Sequence, residues 1–242
     1  MNIEYNYRIL LTRSKEDSIN WSSKIKEIGF HSTILPCIDF ISIEKSKLNK
    51  KISQIQKIDW IVFTSRKGVE YFSKINSYKI STDTKIAAIG QATEDSCKNY
   101  FNRVNYVGVE SNSISFSKEL VSIIDKGSKV LLAVAENANN IIEKKLISED
   151  ILCERINIYR TEPIKQLNKK KLLSEININT IFFASPSAVQ GFVNQVENDV
   201  EAKVYTIGNT TKKKAESLGI KVMGVSEKPG LEGLIRVMNE YS

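Results

Sequence analysis

Two stretches of this chain set a small hydroxyl residue between a short apolar run and an amphipathic pattern. They are "DWIVFTSRKGVEYF", Asp59 to Phe72, and "NTIFFASPSAVQGFV", Asn179 to Val193. Ser65 and Ser185 stand at the two junctions, and Ser187 and Ala188 follow the second. "KIAAIGQATEDSC" from Lys85 and "KVYTIGNTTKKKA" from Lys203 add Gln91, Ala92 and Thr93, then Asn209, Thr210 and Thr211, and "ILLTRSK" adds Arg13. Each segment predicts a strand, a small polar loop and a helix. A helix that opens there offers free N–H groups and the positive end of its dipole, a setting for anions. Ser and Thr at such places also serve as N-caps, so none of them specifies a ligand by itself. Taken together, loops rich in Ser, Thr, Gly and Asn and poor in acids, Glu136 apart, point to a polycarboxylate or polyphosphate.

Other chemistries are excluded by what is missing. His31 is the only histidine, so Ser-His-Asp chemistry could run through this one residue alone, and a histidine-rich metal site is excluded. Cys37, Cys97 and Cys153 are far apart, as in reduced, partly buried thiols, and not as in a zinc site or a disulfide framework. Neither G-x-x-x-x-G-K-[ST] nor G-x-G-x-x-G after the first strand is present. A catalyst built from this chain works with hydrogen bonds, Tyr, Lys, Arg and backbone amides.

Composition sets the broad class. Of 242 residues 41% are apolar and 26% charged, ordinary for a soluble globular protein. The net charge of +7 comes from lysines spread over many helices, Lys24, Lys74 and Lys118 among them, without a basic stripe interleaved with aromatics. Nucleic acid is therefore not the expected partner. Apolar runs such as Val130–Ala135 are too short to span a bilayer, and "MNIEYNYRIL" lacks the pattern of a signal peptide. The expectation is a cytoplasmic protein without a membrane partner.

The elements that position the loops alternate strand and helix along the whole chain. After "YRILLT", Ser14 reads as an N-cap with Asp17 three residues on; Ile19, Ile25 and Ile28 mark an apolar face, Gly29 ends the helix, and His31 falls on the surface. The pattern also repeats. Ser65 aligns with Ser185 at an offset of 120 residues, and Lys85 with Lys203 and Gly90 with Gly208 at 118. "YVGVESNSISFSKELVSI" from Tyr106 aligns with "VMGVSEKPGLEGLIRVM" from Val222. Ordered matches at a nearly constant offset indicate an internal repeat. A fourth unit, Lys129 to Ile151, has its counterpart at the opposite end of the chain, Arg8 to Phe30.

The expected fold is α/β: two similar flavodoxin-like domains, each a parallel sheet flanked by helices, joined by a two-stranded antiparallel linker. Domain 1 is discontinuous, residues 1–36 and 165–242; domain 2 is 44–153; residues 37–43 and 154–164 are the linker strands. In such sheets ligands bind beyond the carboxyl ends of the strands, where the loops above lie, and a narrow linker favours hinge motion.

The segments "ILLTR", "DWIVFTS", "KIAAIGQAT", "INIYRTEP", "IFFASPSAV" and "YTIGNTT", in this order, resemble the uroporphyrinogen-III synthase family along nearly the full length. The resemblance implies a cyclising hydro-lyase that converts hydroxymethylbilane into uroporphyrinogen III, with inversion of the last pyrrole ring and loss of water. It implies no metal or organic cofactor, a monomer, and this small polycarboxylate as the partner; a transient contact with the preceding enzyme of the pathway is left open. It also assigns the catalytic role to Tyr159, in "YRT", a residue that would otherwise read as a strand packing residue. A phenol, protonated at neutral pH, would assist departure of the substrate's terminal hydroxyl, giving an azafulvene that closes through a spiro intermediate. Thr93 and Thr211 match the family's Gly-x-x-Thr threonines, so they and their loops are expected to bind carboxylates. Where relatives have an Ala-Asn-Ala-like run after "FTS" this chain has "RKG", and its fourth-strand loop reads "AENANN". The competing reading is a two-domain cytoplasmic protein that binds a polyanionic small molecule without turnover.

Overall fold

The structure, a computed structural model, describes residues 7–44, 46, 48, 50, 52, 57–75, 80–110, 112–165 and 168–241. The chain divides into two compact units, one made of Met1–Phe40 with Glu162–Ser242 and the other of Ile41–Thr161.

The first unit holds a five-stranded sheet. Its strands are β1 (Arg8–Leu11), β2 (His31–Ile34), β10 (Thr180–Phe183), β12 (Lys203–Ile207) and β13 (Gly224–Ser226), in the order β13-β12-β10-β1-β2 and all parallel, with β9 (Lys171–Leu172) and β11 (Val196–Glu197) forming a separate short parallel pair. The inner strands β1 and β10 are largely apolar runs because both faces are covered, whereas the edge strand β2, His-Ser-Thr-Ile, is partly exposed. Ile9, Leu11, Phe182 and Tyr205 pack with Leu231, Leu234 and Met238 on one side. Leu10, Ile181, Phe183 and Val204 pack with Val189, Phe192 and Ala215 on the other.

The second unit holds β4 (Trp60–Phe63), β5 (Lys85–Ile89), β6 (Tyr106–Gly108), β7 (Lys129–Ala135) and the first part of β8 (Leu152–Pro163); β3 (Ile38–Ser42), which begins in the first unit, pairs with β8. Read as β6-β5-β4-β7-β8, the five parallel strands repeat the order of the first unit. Trp60 lies opposite Lys85 and Thr180 opposite Lys203, so the offsets of 120 and 118 residues appear directly in the strand pairing. The third match needs a slide. Tyr106 pairs with Ala87 and Gly224 with Tyr205, which makes Gly224, and not Val222, the counterpart of Tyr106. A slide of two residues keeps every side chain on its face of the sheet, so hydrophobic pattern alone does not detect it.

The first helix, Lys15–Glu27, begins as its sequence requires, with the Ser14 side chain accepting the Asp17 N–H. Its buried face differs from the expected isoleucine stripe. Ile25 is buried, but Ile19 and Ile28 are about half exposed, at 52% and 49%. Ser18, Trp21 and Ile25, at helical spacing, face the sheet instead, because Trp21 packs against the core there.

"LCERINIYRTEP" is one continuous strand. Residues 154–159, placed by sequence in the linker, also pair with β7 as part of the second unit's sheet. Ile43 donates to the Ile158 carbonyl and Ile164 to the Cys37 carbonyl. One residue number rises as the other falls, the antiparallel sense for β3 and β8. Cys37, Cys97 and Cys153 are free thiols, the first two buried. Among the described residues no helix is long and apolar enough to cross a membrane.

Candidate active site

In the second unit, β4 delivers Ser65 to the start of the helix Arg66–Ser73. Its backbone is extended, with φ −163° and ψ 153°, and its Oγ accepts the Gly68 N–H at 3.0 Å. A Cβ at Gly68 would stand 3.2 Å from that Oγ and 3.4 Å from the Ala133 carbonyl oxygen, a tight fit. The Ser65 Oγ also lies 3.1 Å from the phenol oxygen of Tyr159.

Tyr159 reaches this point by a break in strand register. Down to Val134 opposite Asn157 the β7–β8 pairing is regular; a shift then brings Ala135 opposite Tyr159, and the Glu136 N–H closes the ladder on the Tyr159 carbonyl at 2.8 Å. The Tyr159 side chain is nearly buried. Its ring stacks on Tyr71, with centroids 5.4 Å apart and planes 17° off parallel. The Lys74 ammonium stands 5.1 Å from the Tyr71 ring. Glu70 joins Lys67 at 2.8 Å and Lys74 at 2.7 Å. Burial alone would raise the Glu70 pKa, but the hydrogen bonds from the two lysines outweigh it and hold the carboxyl below its ordinary value.

The loop after β7 is held from β8. The Arg155 guanidinium donates to the carbonyls of Ala135, Glu136, Ala138 and Asn139 at 2.9–3.3 Å and to Asn157 Oδ1 at 2.9 Å. One fixed cation thereby organises "AENAN", a loop without other regular structure.

Gly90 and Gly208, aligned in the repeat, share a left-handed backbone with φ of 69° and 70°. Each opens a helix whose first turn has no side-chain cap. That leaves backbone donors for an incoming anion, a role the capped helices at Ser65 and Ser185 serve less well. The loop residues divide by depth. Gln91, Ala92, Asn209 and Thr210 are exposed, whereas Thr93 and Thr211 are buried at 4% and 3% exposure. In the first unit Ser185 caps Ala188 at 3.2 Å, with Ser187 half-buried beside it. Arg13, at the end of β1, donates to Asp17 at 3.1 Å and lies 4.5 Å over the Trp21 ring.

The structure thus joins Ser65 to Tyr159 and places the other candidates at the carboxyl ends of their own sheets. Three contributors escaped the sequence reading: Tyr71, Gly68 and Arg155. Tyr71 had a readable signal. It aligns with Gly191, an aromatic against a glycine in a helix pair in which Val69 and Phe72 match Val189 and Phe192.

Comparison with known proteins places the chain in one family. The family model described as uroporphyrinogen-III synthase HemD matches residues 20–236. The porphyrin biosynthesis protein HemD of Ruminiclostridium josui is 26% identical over 96% of this chain and 48% of its own, so the chain spans about half the length of that relative. The chloroplastic uroporphyrinogen-III synthase of rice (Oryza sativa subsp. japonica) is 24% identical over 96% of this chain and 80% of its own. The crystal structure of uroporphyrinogen-III synthetase from Helicobacter pylori superposes with a TM-score of 0.63 at 16% identity, covering 98% of this chain and all of that one, a likeness of fold.

Proposed function

As the chain belongs to the uroporphyrinogen-III synthase family, we propose that it cyclises hydroxymethylbilane to uroporphyrinogen III, inverting the last pyrrole ring and releasing water. The observation that carries this reading is the family match across residues 20–236. The pairing of Tyr159 with Ser65 supports the assignment of Tyr159 as the acid. Its phenol protonates the terminal hydroxyl of the bilane, which leaves as water. The azafulvene so formed closes at the substituted carbon of the last ring, passes through the spiro intermediate and re-closes, and the proton shed as the ring regains aromaticity returns to the phenolate.

The carboxylates of the substrate are bound by Arg13, Ser185, Ser187 and the loops Gln91–Thr93 and Asn209–Thr211; the Ala188 N–H holds the Ser185 cap, and the Ser65 hydroxyl is engaged with Tyr159. The exposed residues Gln91, Ala92, Asn209 and Thr210 present backbone amides at uncapped helix starts, where a carboxylate is favoured. The buried Thr93 and Thr211 shape those turns from beneath. The enzyme on this reading is a cytoplasmic monomer that uses no metal or organic cofactor.

The test is turnover. Purified protein given hydroxymethylbilane should yield the type III isomer in excess over the type I isomer of the uncatalysed closure, as separated by chromatography. A protein that binds the bilane and leaves the isomer ratio at its uncatalysed value would instead be a binding protein.

A further inference from the structure

The Ser65 hydroxyl has one hydrogen and two lone pairs. The Gly68 N–H can only donate, so it occupies a lone pair. The remaining contact, 3.1 Å from the Tyr159 phenol oxygen, joins two hydroxyls of which one must donate. Serine donation is the arrangement that uses both hydrogens: the serine proton on the phenol oxygen, the phenol proton on the substrate. Capping does not require this pairing. Ser185, the aligned residue, caps Ala188 in the same way, and its hydroxyl meets no second side chain among the described residues. The pairing therefore belongs to one copy of the repeat, the copy that also carries Tyr71 against the Tyr159 ring.

We propose that Ser65 donates its hydroxyl proton to the phenol oxygen of Tyr159 and is a positioning residue that turns the phenol's own proton toward the leaving hydroxyl of the substrate. The proposal rests on the reading of Tyr159 as the acid. The Tyr71 stack sets the plane of the ring, and the serine sets the direction of the O–H within that plane. The Gly68 N–H, by occupying one lone pair of the serine, fixes where its hydroxyl stands. After proton transfer the same donor faces a phenolate, which a charge-assisted hydrogen bond stabilises more strongly than the neutral phenol.

The test uses four variants of the full chain: Ser65→Gly, Ser65→Thr, Tyr159→Phe and the double Ser65→Gly/Tyr159→Phe. Glycine is a tolerated N-cap, so Ser65→Gly removes the hydroxyl while the helix persists. Type III formation should fall about tenfold in Ser65→Gly, the equivalent of one well-placed hydrogen bond, and return to within about threefold of native in Ser65→Thr. In the Tyr159→Phe background Ser65→Gly should change nothing further, because the serine acts through the phenol. A second readout needs no turnover: in protein labelled at the tyrosine ζ-carbon, with the Tyr159→Phe spectrum identifying the signal, Ser65→Gly should raise the Tyr159 titration midpoint by roughly half a unit to one unit. Equal losses from Ser65→Gly with and without the phenol, or an unmoved midpoint, would overturn the proposal. If Tyr159→Phe alone kept native turnover, the catalytic reading of Tyr159 would fall, and the midpoint would still decide whether Ser65 donates to it.

Discussion

Tyr159→Phe separates chemistry from packing because the two depend on different atoms. The substitution deletes one oxygen from a ring that is 7% exposed and stacked on Tyr71. The stack survives and Ser65 still accepts the Gly68 N–H, while its own hydroxyl hydrogen loses the phenol acceptor on a residue that is only half-buried. The neutral hydrogen bond of 3.1 Å to Ser65 disappears, a contact worth about 0.5–1.5 kcal/mol of stability. General acid catalysis contributes typically 10²–10⁴-fold, or about 3–5 kcal/mol of barrier. Turnover should therefore lose several times more free energy than folding does. The uncatalysed bilane closes to the type I isomer, so a slowed enzyme loses a race and type I accumulates. The assay supplies hydroxymethylbilane at saturating concentration, follows both isomers by chromatography, and measures stability by urea unfolding in parallel. Type III formation at the native rate would refute the argument and leave Tyr159 a strand residue. A stability loss as large as the activity loss would refute it differently, by making the phenol a structural group.

Gly191 faces the backbone of Cys37, where an added Cβ would overlap the carbonyl oxygen and stand 2.7 Å from the carbonyl carbon. Because backbone cannot yield as a side chain does, Gly191→Ala should destabilise the protein by about 3 kcal/mol, read from the urea midpoint. Thr93→Ala and Thr211→Ala should each raise KM by roughly two- to fivefold, since the neighbouring amides survive; abolished turnover in a folded variant would give that hydroxyl a chemical role instead. Glu70→Gln should cost about 0.5–1 kcal/mol near neutral pH, where the carboxylate joins Lys67 and Lys74. A carboxyl lowered on folding contributes stability above its ordinary value of 4.5, and that contribution is lost as pH falls through the folded value. The gap between native and Glu70→Gln urea midpoints should accordingly close in acid; a gap constant with pH would remove the ion pairs as its cause.

Much of the fold follows from local pattern. Apolar runs such as "WIVF" and "TIFF" can satisfy their backbone and side chains together only as strands covered on both faces, and the helices between them supply the cover. Ser14, Ser65 and Ser185 cap their helices because a side-chain acceptor three residues before a free N–H is local geometry, legible in any chain. The permuted repeat was legible too, because the offsets of 120 and 118 residues are properties of the letters.

What the letters left open is whatever depends on residues distant in sequence. The two-residue slide of Gly224 against Tyr106 conserves every face, so only the hydrogen-bond ladder fixes it. The stripe of Ile19, Ile25 and Ile28 gave way to Ser18, Trp21 and Ile25, since the size of Trp21 and the shape of the sheet beneath decide which helical face is buried. The candidate site shows the same division most clearly. Tyr71 and Gly191 occupy one position of the repeat, and local propensity gives no reason for either. Across 88 residues of chain Tyr71 meets the Tyr159 ring, while across 154 residues Gly191 meets the Cys37 backbone, each number being the separation along the sequence. The strands, the caps and the repeat were legible in the letters, because each rests on interactions between near neighbours or on the pattern itself. The tertiary structure decided that a break in strand register carries Tyr159 to Ser65, because a contact between residues 94 apart exists only once the sheet that spans them has formed.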